Sequence, residues 1–153
     1  MTDVEPLNET EEAFWRALMR VVLSLPRRLD SDLARTVGIT ANEYTTLMCL
    51  SEASGRELRM ADLAKAAALS ASRMTRLVDD LQSRGLVAKR ASSDDGRGNV
   101  ARLTPAGLAK LKKAWPVHLA SVRGRVFDHV EPATVASAAQ ALSEIAAQLE
   151  AGR

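Results

Sequence analysis

Residues 70–85, with the sequence SASRMTRLVDDLQSRG, give the clearest structural signal in the chain. Ser70 is a favourable N-cap, and Gly85 is a residue type that commonly ends a helix. Between them, apolar side chains recur at intervals of three and four, which places them on one helix face: Met74, Leu77, Val78 and Leu81. The segment therefore predicts an amphipathic helix that begins near Ser70 and ends near Arg84.

The opposite face of this helix carries short hydroxyls and arginines near its N-terminal end, namely Ser72, Arg73, Thr75 and Arg76. Arginine can donate two hydrogen bonds to guanine in the major groove of DNA, and hydroxyls and free backbone N–H groups can bind phosphates. The pattern is therefore typical of a helix that reads DNA. The alternative is an ordinary amphipathic helix whose charged face is solvated.

A β-hairpin is predicted directly after the helix. The strands Leu86–Arg90 and Asn99–Leu103 flank a polar turn at residues 92–98, which contains an Asp-Gly step. At the tip of this hairpin, Arg97 can enter a minor groove, and Asp95 can hold an arginine in position. The alternative is a solvated turn whose arginine has no partner.

Upstream segments complete a helix-turn-helix. Thr40–Glu43 has the form of a capping box, so a helix begins there, and a short helix covers Ala61–Ala67. Between them, Glu57–Arg59 can form an isolated strand. The order of helix, short helix, turn, helix and hairpin predicts a mainly α fold with a small β-hairpin, in which a winged helix-turn-helix forms the core.

An N-terminal helix precedes this core. It begins near Asn8 or Thr10, where acidic residues suit the positive end of the helix dipole, and Gly38 ends the region. Pro26 should kink this helix or split it into two pieces.

Two C-terminal helices follow the hairpin. A threonine and a proline at residues 104–105 start a helix that can run to about Val130, with a bend at Pro116. The last helix begins at residues 131–132 and has an apolar stripe: Val135, Ala138, Leu142, Ile145 and Leu149. A small winged core cannot bury the terminal helices alone, so a second subunit would cover them. The expected organisation is a tail and dimerisation helix (1–38), a DNA-binding region (39–103) and C-terminal dimerisation helices (104–153).

Composition agrees with this prediction. The chain has 153 residues, 26 of them alanine, with 46% hydrophobic and only 3% aromatic positions. Such a composition favours helices and disfavours β-sandwiches and barrels. No apolar run is long enough to span a membrane, and the acidic N-terminus lacks the features of a signal peptide, so we expect a cytoplasmic protein.

The charge is distributed unevenly along the chain. Residues 55–103 carry ten basic and six acidic residues, a net charge of +4, whereas the rest of the chain has a net charge of −2. A basic central region is a weak indication of a nucleic-acid partner.

Six motifs in this order and spacing resemble the MarR family of bacterial transcriptional regulators, and the resemblance covers most of the chain. They are Thr40–Tyr44, Leu58–Ala64, Leu69–Val78, Arg84–Val87, Asp95-x-Arg97 and Leu103-Thr-x-x-Gly107. The resemblance implies a winged helix-turn-helix homodimer that binds a palindromic operator in double-stranded DNA, and we expect a repressor. The family's recognition-helix positions correspond to Ser70, Ser72, Arg73, Thr75 and Arg76. Its wing arginine corresponds to Arg97, with Asp95 as the acidic partner.

The resemblance also implies a small-molecule effector, because many relatives are released from DNA by small, often anionic aromatic ligands. Such ligands bind in a crevice between the dimer helices and the DNA-binding lobe. A cation beside an aromatic wall suits a carboxylate or phenolate. The candidate lining residues are Trp15, Arg16, Trp115, His118 and Arg123. The alternative is that both tryptophans belong to the dimer interface and the charged groups are solvated.

Other functions have weaker signals. Cys49 lies among apolar residues, which favours an inert core thiol over a peroxide sensor, and a single cysteine excludes an intrachain disulfide and cysteine-cluster metal sites. His118 and His129 are expected on one face of a long helix, but two histidines without a supporting carboxylate cluster are only thin evidence for a metal site. No enzyme motif is present, and no cofactor is expected. The alternative function is a winged-helix protein-interaction module without sequence-specific DNA binding.

Overall fold

The computed structural model describes residues 4–91 and 99–151, which form helices and one small sheet. The helices are α1 (Glu9–Val37), α2 (Ala41–Glu52), α3 (Met60–Ala66), α4 (Ala71–Ser83), α5 (Pro105–Arg125) and α6 (Val135–Ala151). The strands are β1 (Glu57–Arg59), β2 (Val87–Ala91) and β3 (Asn99–Leu103). Single 3-10 turns lie at Ser54–Arg56, Phe127–His129 and Pro132–Thr134. These elements confirm the predicted fold class, a winged helix-turn-helix with flanking helices at both ends.

The helix starts follow the predicted caps. The Asn8 side chain and Glu11 form a capping box at the start of α1, and Thr40 and Glu43 form another at α2. Ser70 caps α4, because its hydroxyl accepts a hydrogen bond from the backbone N–H of Arg73 at 3.4 Å. Each cap satisfies a backbone donor that would otherwise lack a partner, so these residues fix where the helices begin.

The predicted split of the first helix at Pro26 is wrong. α1 runs without interruption from Glu9 to Val37 and includes Pro26. A proline removes one backbone donor from a long helix, and the remaining hydrogen bonds hold the two halves together. The helix ends as expected at Gly38, whose φ of +67° is the left-handed conformation that glycine adopts most readily.

The small sheet has the order β1-β3-β2, and both pairs are antiparallel. Residues 57–59 are therefore not an isolated strand, because they pair with β3 on the side of β3 that faces away from β2. In this pairing Leu58 lies opposite Ala101. The hairpin alone would leave the backbone groups of that edge of β3 without partners, and β1 satisfies them. On the other edge, Val87 pairs with Leu103.

The hydrophobic core lies beneath α4. The inward side chains of α4, Met74, Val78 and Leu81, are completely buried, and Leu77 is half-buried against the same cluster. This cluster also includes buried residues of α1, α2, α3, α5 and the sheet: Leu33, Leu47, Leu50, Leu63, Val87, Ala101 and Leu111. The predicted inward face of α4 is therefore confirmed, and its polar face points away from the core.

The start of α5 packs closely against the hairpin at Gly107. A Cβ atom at this position would collide with the carbonyl oxygen of Leu86 and lie 2.8 Å from Cδ1 of Leu103. Thr104 holds the same junction, because its hydroxyl donates to the carbonyl of Gly85 at 2.7 Å and accepts from the N–H of Gly107 at 3.0 Å. The Leu103-Thr-x-x-Gly107 motif is thus a close contact between a helix and a hairpin.

The chain divides into two compact units, Met1–His118 and Leu119–Arg153. In the second unit, α5 ends at Arg125 rather than near Val130, and α6 begins at Val135 rather than at residues 131–132. The backbone leaves the helical conformation at Val126, and a ring nitrogen of His129 hydrogen-bonds the carbonyl of Gly124 at 3.1 Å. That bond satisfies a carbonyl near the helix end. His118 and His129 are therefore not on one helix, contrary to the prediction.

Candidate nucleic-acid interface

The helical residues of the predicted DNA-binding set lie together on one exposed surface of α4 and its N-cap. Ser70, Ser72, Arg73, Thr75 and Arg76 are all exposed. The hydroxyls of Ser70 and Ser72 lie 3.4 Å apart. Thr75 donates its hydroxyl hydrogen to the carbonyl of Ala71 at 2.9 Å, so its oxygen can accept a further hydrogen bond. The wing residues Asp95 and Arg97 lie outside the described residues.

An open groove of about 410 Å³ runs beside this surface. Its lining comes from α1, the start of α2, and α4 with the preceding turn: Asp30, Thr40, Asn42, Glu43, Leu69, Arg73, Arg76, Leu77 and Asp80. The groove thus combines two arginines with three carboxylates.

The three carboxylates have partners other than the two arginines. Asp30 accepts from the backbone N–H of Ala41 at 2.8 Å, which adds to the capping of α2. Glu43 and Asp80 both accept from Arg84. Within residues 4–91 and 99–151, Arg73 and Arg76 make no ion pair with another described residue. No described acidic side chain therefore occupies either guanidinium group, whose five N–H donors form a planar fork that can bind a ligand.

One further ion pair connects α4 to the sheet, and another lies within the sheet. Lys89 of β2 pairs with Asp79 at 2.7 Å, and Arg90 pairs with Glu57 of β1 at 2.7 Å. Lys89 and Arg90, two basic residues of β2, thus both have acidic partners. The hydrogen bond from Arg84 lowers the pKa of Asp80, and the bond to Asp80 raises the pKa of Arg84.

The candidate effector residues do not form one cluster through described contacts. Trp15 and Trp115 are each about half exposed, and Arg16 is paired with Glu12 within α1. Arg123 belongs to the second unit. No hydrogen bond or ring contact between described side chains joins any two of the five candidates.

His118 has a different partner, one that the sequence analysis missed. Its ring stacks on Tyr44 with 4.4 Å between the ring centroids. Nδ1 of His118 and the hydroxyl of Tyr44 are both buried, and neither has a hydrogen-bond partner among the described residues. Burial lowers the pKa of His118 and, together with the charge of Glu52, raises the pKa of Tyr44. No periodic signal marks this pair, because its members are 74 positions apart.

The remaining candidates behave as packed residues. Cys49 is half-buried, and burial followed by the charge of Glu52 raises the pKa of its thiol, which disfavours the reactive thiolate. In the described part of the chain, no group of three or more histidine, cysteine or acidic side chains can hold a metal ion. None of the described helices is both long and apolar enough to cross a membrane.

Comparisons with known proteins give consistent results. A model of the MarR family matches residues 37–98. The MarR family transcriptional regulator Sco3205 from Streptomyces coelicolor, solved in complex with DNA, has a TM-score of 0.89 and 32% identity over 95% of this chain and 91% of that chain. AbsC, another MarR family transcriptional regulator from Streptomyces coelicolor, has a TM-score of 0.89 and 34% identity over 97% of this chain and 99% of that chain.

A curated relative gives a shorter match. The HTH-type transcriptional repressor YetL of Bacillus subtilis (strain 168) is 29% identical over 85 residues, which cover 56% of this chain. The match spans about half the length of that protein, 51%. All three relatives are transcriptional regulators and not enzymes.

Proposed function

The chain belongs to the MarR family of transcriptional regulators, and from this premise we propose that it binds double-stranded DNA sequence-specifically through α4. The observation that carries the proposal is the exposed pair Arg73 and Arg76, which have no ion-pair partner among the described residues. The helix that bears them is fixed by its opposite face, where Met74, Val78 and Leu81 are completely buried. This arrangement suits insertion into a major groove, where each arginine can donate to a guanine edge.

The proposed active form is a homodimer on a palindromic operator. α1 exposes Phe14, Trp15, Val21, Val22 and Leu23, and α6 exposes Leu142, Ile145 and Leu149. Exposed apolar side chains in this number are characteristic of surfaces that bind another protein chain. A two-fold dimer would present two recognition helices about 34 Å apart, one turn of B-DNA, so the two half-sites would be related by symmetry.

The wing and the effector complete the proposal. Arg97 is proposed to enter the minor groove with Asp95 positioning an arginine, in the manner of a minor-groove reader. By similarity to the repressor YetL, the protein is proposed to repress transcription in the cytoplasm. A small anionic or phenolic ligand is proposed to release it from DNA, and the unpartnered polar atoms of Tyr44 and His118 are candidates for contacting such a ligand.

The test is selection of duplexes from a random library, followed by titration of the enriched sequence at fixed salt. We expect Arg73→Ala or Arg76→Ala to weaken binding by about 1–3 kcal/mol and to blur base preference at one position. Arg35→Ala is the control, because the ion pair of Arg35 with Asp32 stays within α1. If no sequence is enriched and no salt-dependent binding occurs, the protein is a winged-helix interaction module instead.

A further inference from the structure

Arg84 connects three helices at the end of α4 opposite to the exposed arginines. It follows directly after α4, and its Nη1 donates to Glu43 Oε1 at 2.5 Å and to Asp80 Oδ2 at 2.9 Å. Its Nη2 donates to the carbonyl of Gly38, the residue that ends α1, at 3.1 Å. One guanidinium therefore bonds to α2, to α4 itself and to the C-terminus of α1.

The acceptor on α2 depends on this contact. Glu43 is buried, with 7% of its surface exposed, and its other oxygen accepts from the backbone N–H of Thr40 at 2.6 Å. A buried carboxylate is costly unless a cation and hydrogen bonds compensate its charge. Arg84 supplies the cation. The ion pair between Glu43 and Arg84 thus joins the start of α2 to the end of α4.

The carbonyl groups at the end of α1 accept hydrogen bonds both from Arg84 and from a residue of α5. The last carbonyls of a helix have no partner within the helix and carry partial negative charge. Two adjacent ones, of Val37 and Gly38, accept from Lys110 of α5 at 3.1 Å and from Arg84 at 3.1 Å. The end of α4 is therefore fixed to the same point of the scaffold as α5.

Arg84 lies far enough along the chain from the exposed arginines that a small change of helix angle at Arg84 would move them considerably. Arg73 precedes Arg84 by eleven residues, which is about 16 Å along a helix at 1.5 Å per residue. A tilt of about 10° would displace the N-terminal end of α4 by about 3 Å over that length. Hydrogen bonds to base edges tolerate only a few tenths of an ångström.

We propose that Arg84 is a positioning residue for DNA recognition, which sets the angle at which α4 presents Arg73 and Arg76 without itself contacting the bases. This inference rests on the proposed function and adds a determinant of specificity outside the DNA-binding residues predicted from the sequence. Glu43 is the fixed partner in this arrangement, and Asp80 orients the guanidinium from the same helix.

The test compares wild type with Arg84→Ala and Arg84→Lys. The probes are the duplex enriched from a random library by the wild-type protein and a shuffled duplex of equal length and composition. We expect Arg84→Ala to lower affinity for the enriched duplex by about 10- to 100-fold, the equivalent of one or two well-placed base contacts. Affinity for the shuffled duplex and the slope of affinity against salt should stay unchanged. Arg84→Lys should recover part of the loss, because lysine can still pair with Glu43.

Several outcomes would overturn the proposal. Equal losses on both duplexes, with a salt slope smaller by about one, would mean that Arg84 contacts a phosphate. No loss on the enriched duplex would remove Arg84 from recognition. If Arg84→Ala does not fold, Glu43→Gln replaces it, because glutamine keeps an oxygen for the Thr40 N–H and removes the charge that faces Arg84.

A second measurement separates this inference from the proposed function. Amide hydrogen exchange of α4 in free Arg84→Ala should be faster than in wild type, whereas Arg35→Ala should leave it unchanged. Unchanged exchange in Arg84→Ala would overturn the positioning role even if the wild type failed to select any duplex. Failure of the wild type to select a duplex contradicts the proposed function itself.

Discussion

α4 and α6 have apolar residues at the same helical spacing but in opposite environments. In α4, Met74, Val78 and Leu81 are completely buried, whereas in α6, Leu142 and Leu149 are 49% and 71% exposed. Polar contacts differ in the same way. Two ion pairs tie α4 and its C-cap Arg84 to neighbouring elements, namely Asp79–Lys89 and Arg84–Glu43. In α6, by contrast, the described hydrogen bond from Gln140 to Glu144 stays within the helix. Periodicity thus identifies a helix and its apolar face, but it does not show which part of the protein, or which other chain, covers that face.

The largest expected effect tests whether a second copy of the chain covers α6. Leu142→Asp combined with Ile145→Asp should raise the dissociation constant of the proposed dimer by at least about 1,000-fold, because two charges would be buried without partners. Light scattering at micromolar concentration measures the mass. Ala147→Asp, on the other side of the helix, is the matched control and should remain dimeric. A monomeric wild type, or a double variant that stays dimeric, would show that the exposed face of α6 has another role.

The second comparison tests the difference in burial between leucines of α4 and α6 directly. Leu81→Ala should lower the free energy of unfolding by about 2–5 kcal/mol, since it opens a cavity beneath α4. Leu149→Ala removes the same atoms from a side chain that is already mostly exposed, so its effect should be much smaller. Urea unfolding of both variants at one protein concentration gives the comparison. Losses of equal size would mean that α6 is as thoroughly covered in solution as α4.

The smallest effect concerns the two histidines, one in each unit. Burial lowers the pKa of His118, so below the ordinary histidine value of 6.5 the unfolded chain binds a proton more readily than the folded chain. Stability should therefore fall as pH decreases through 6.5, and His118→Phe should reduce this fall. Thermal unfolding between about pH 7.5 and pH 5.5 measures it. The exposed His129 provides the control His129→Phe, and an identical pH response in both variants would contradict the assignment.

Much of the fold could be predicted because its signals are local. The caps at Asn8, Thr40 and Ser70 act over three residues, so the sequence contains both partners of each interaction. The two strands of the hairpin were predicted to within one residue, because they are close together in the sequence. Helix periodicity identified Ser72, Arg73, Thr75 and Arg76 as candidate DNA-binding residues, and the resemblance to a family added Ser70. These five residues share one exposed surface.

The parts that the sequence did not predict depend on distant residues. Glu43 and Arg84 are 41 positions apart, and no spacing rule connects an acidic residue in one helix with a basic residue after another. The partner of β1 was missed for the same reason, because Leu58 pairs with Ala101. The early end of α5 arises from a bond between Gly124 and His129, which competes with a helix that propensity alone would continue.

The order β1-β3-β2 has a consequence for the sequence of events during synthesis. β1 leaves the ribosome first, but its partner β3 is made about forty residues later, which takes roughly 2–8 s at about 5–20 residues per second. Throughout this delay α3 and α4 can form from local contacts, while β1 is a strand without a neighbour. Its brevity and the charges of Glu57 and Arg59 make it a poor template for another nascent chain. The last strand to be made therefore closes the loop that contains α4 and completes the wing.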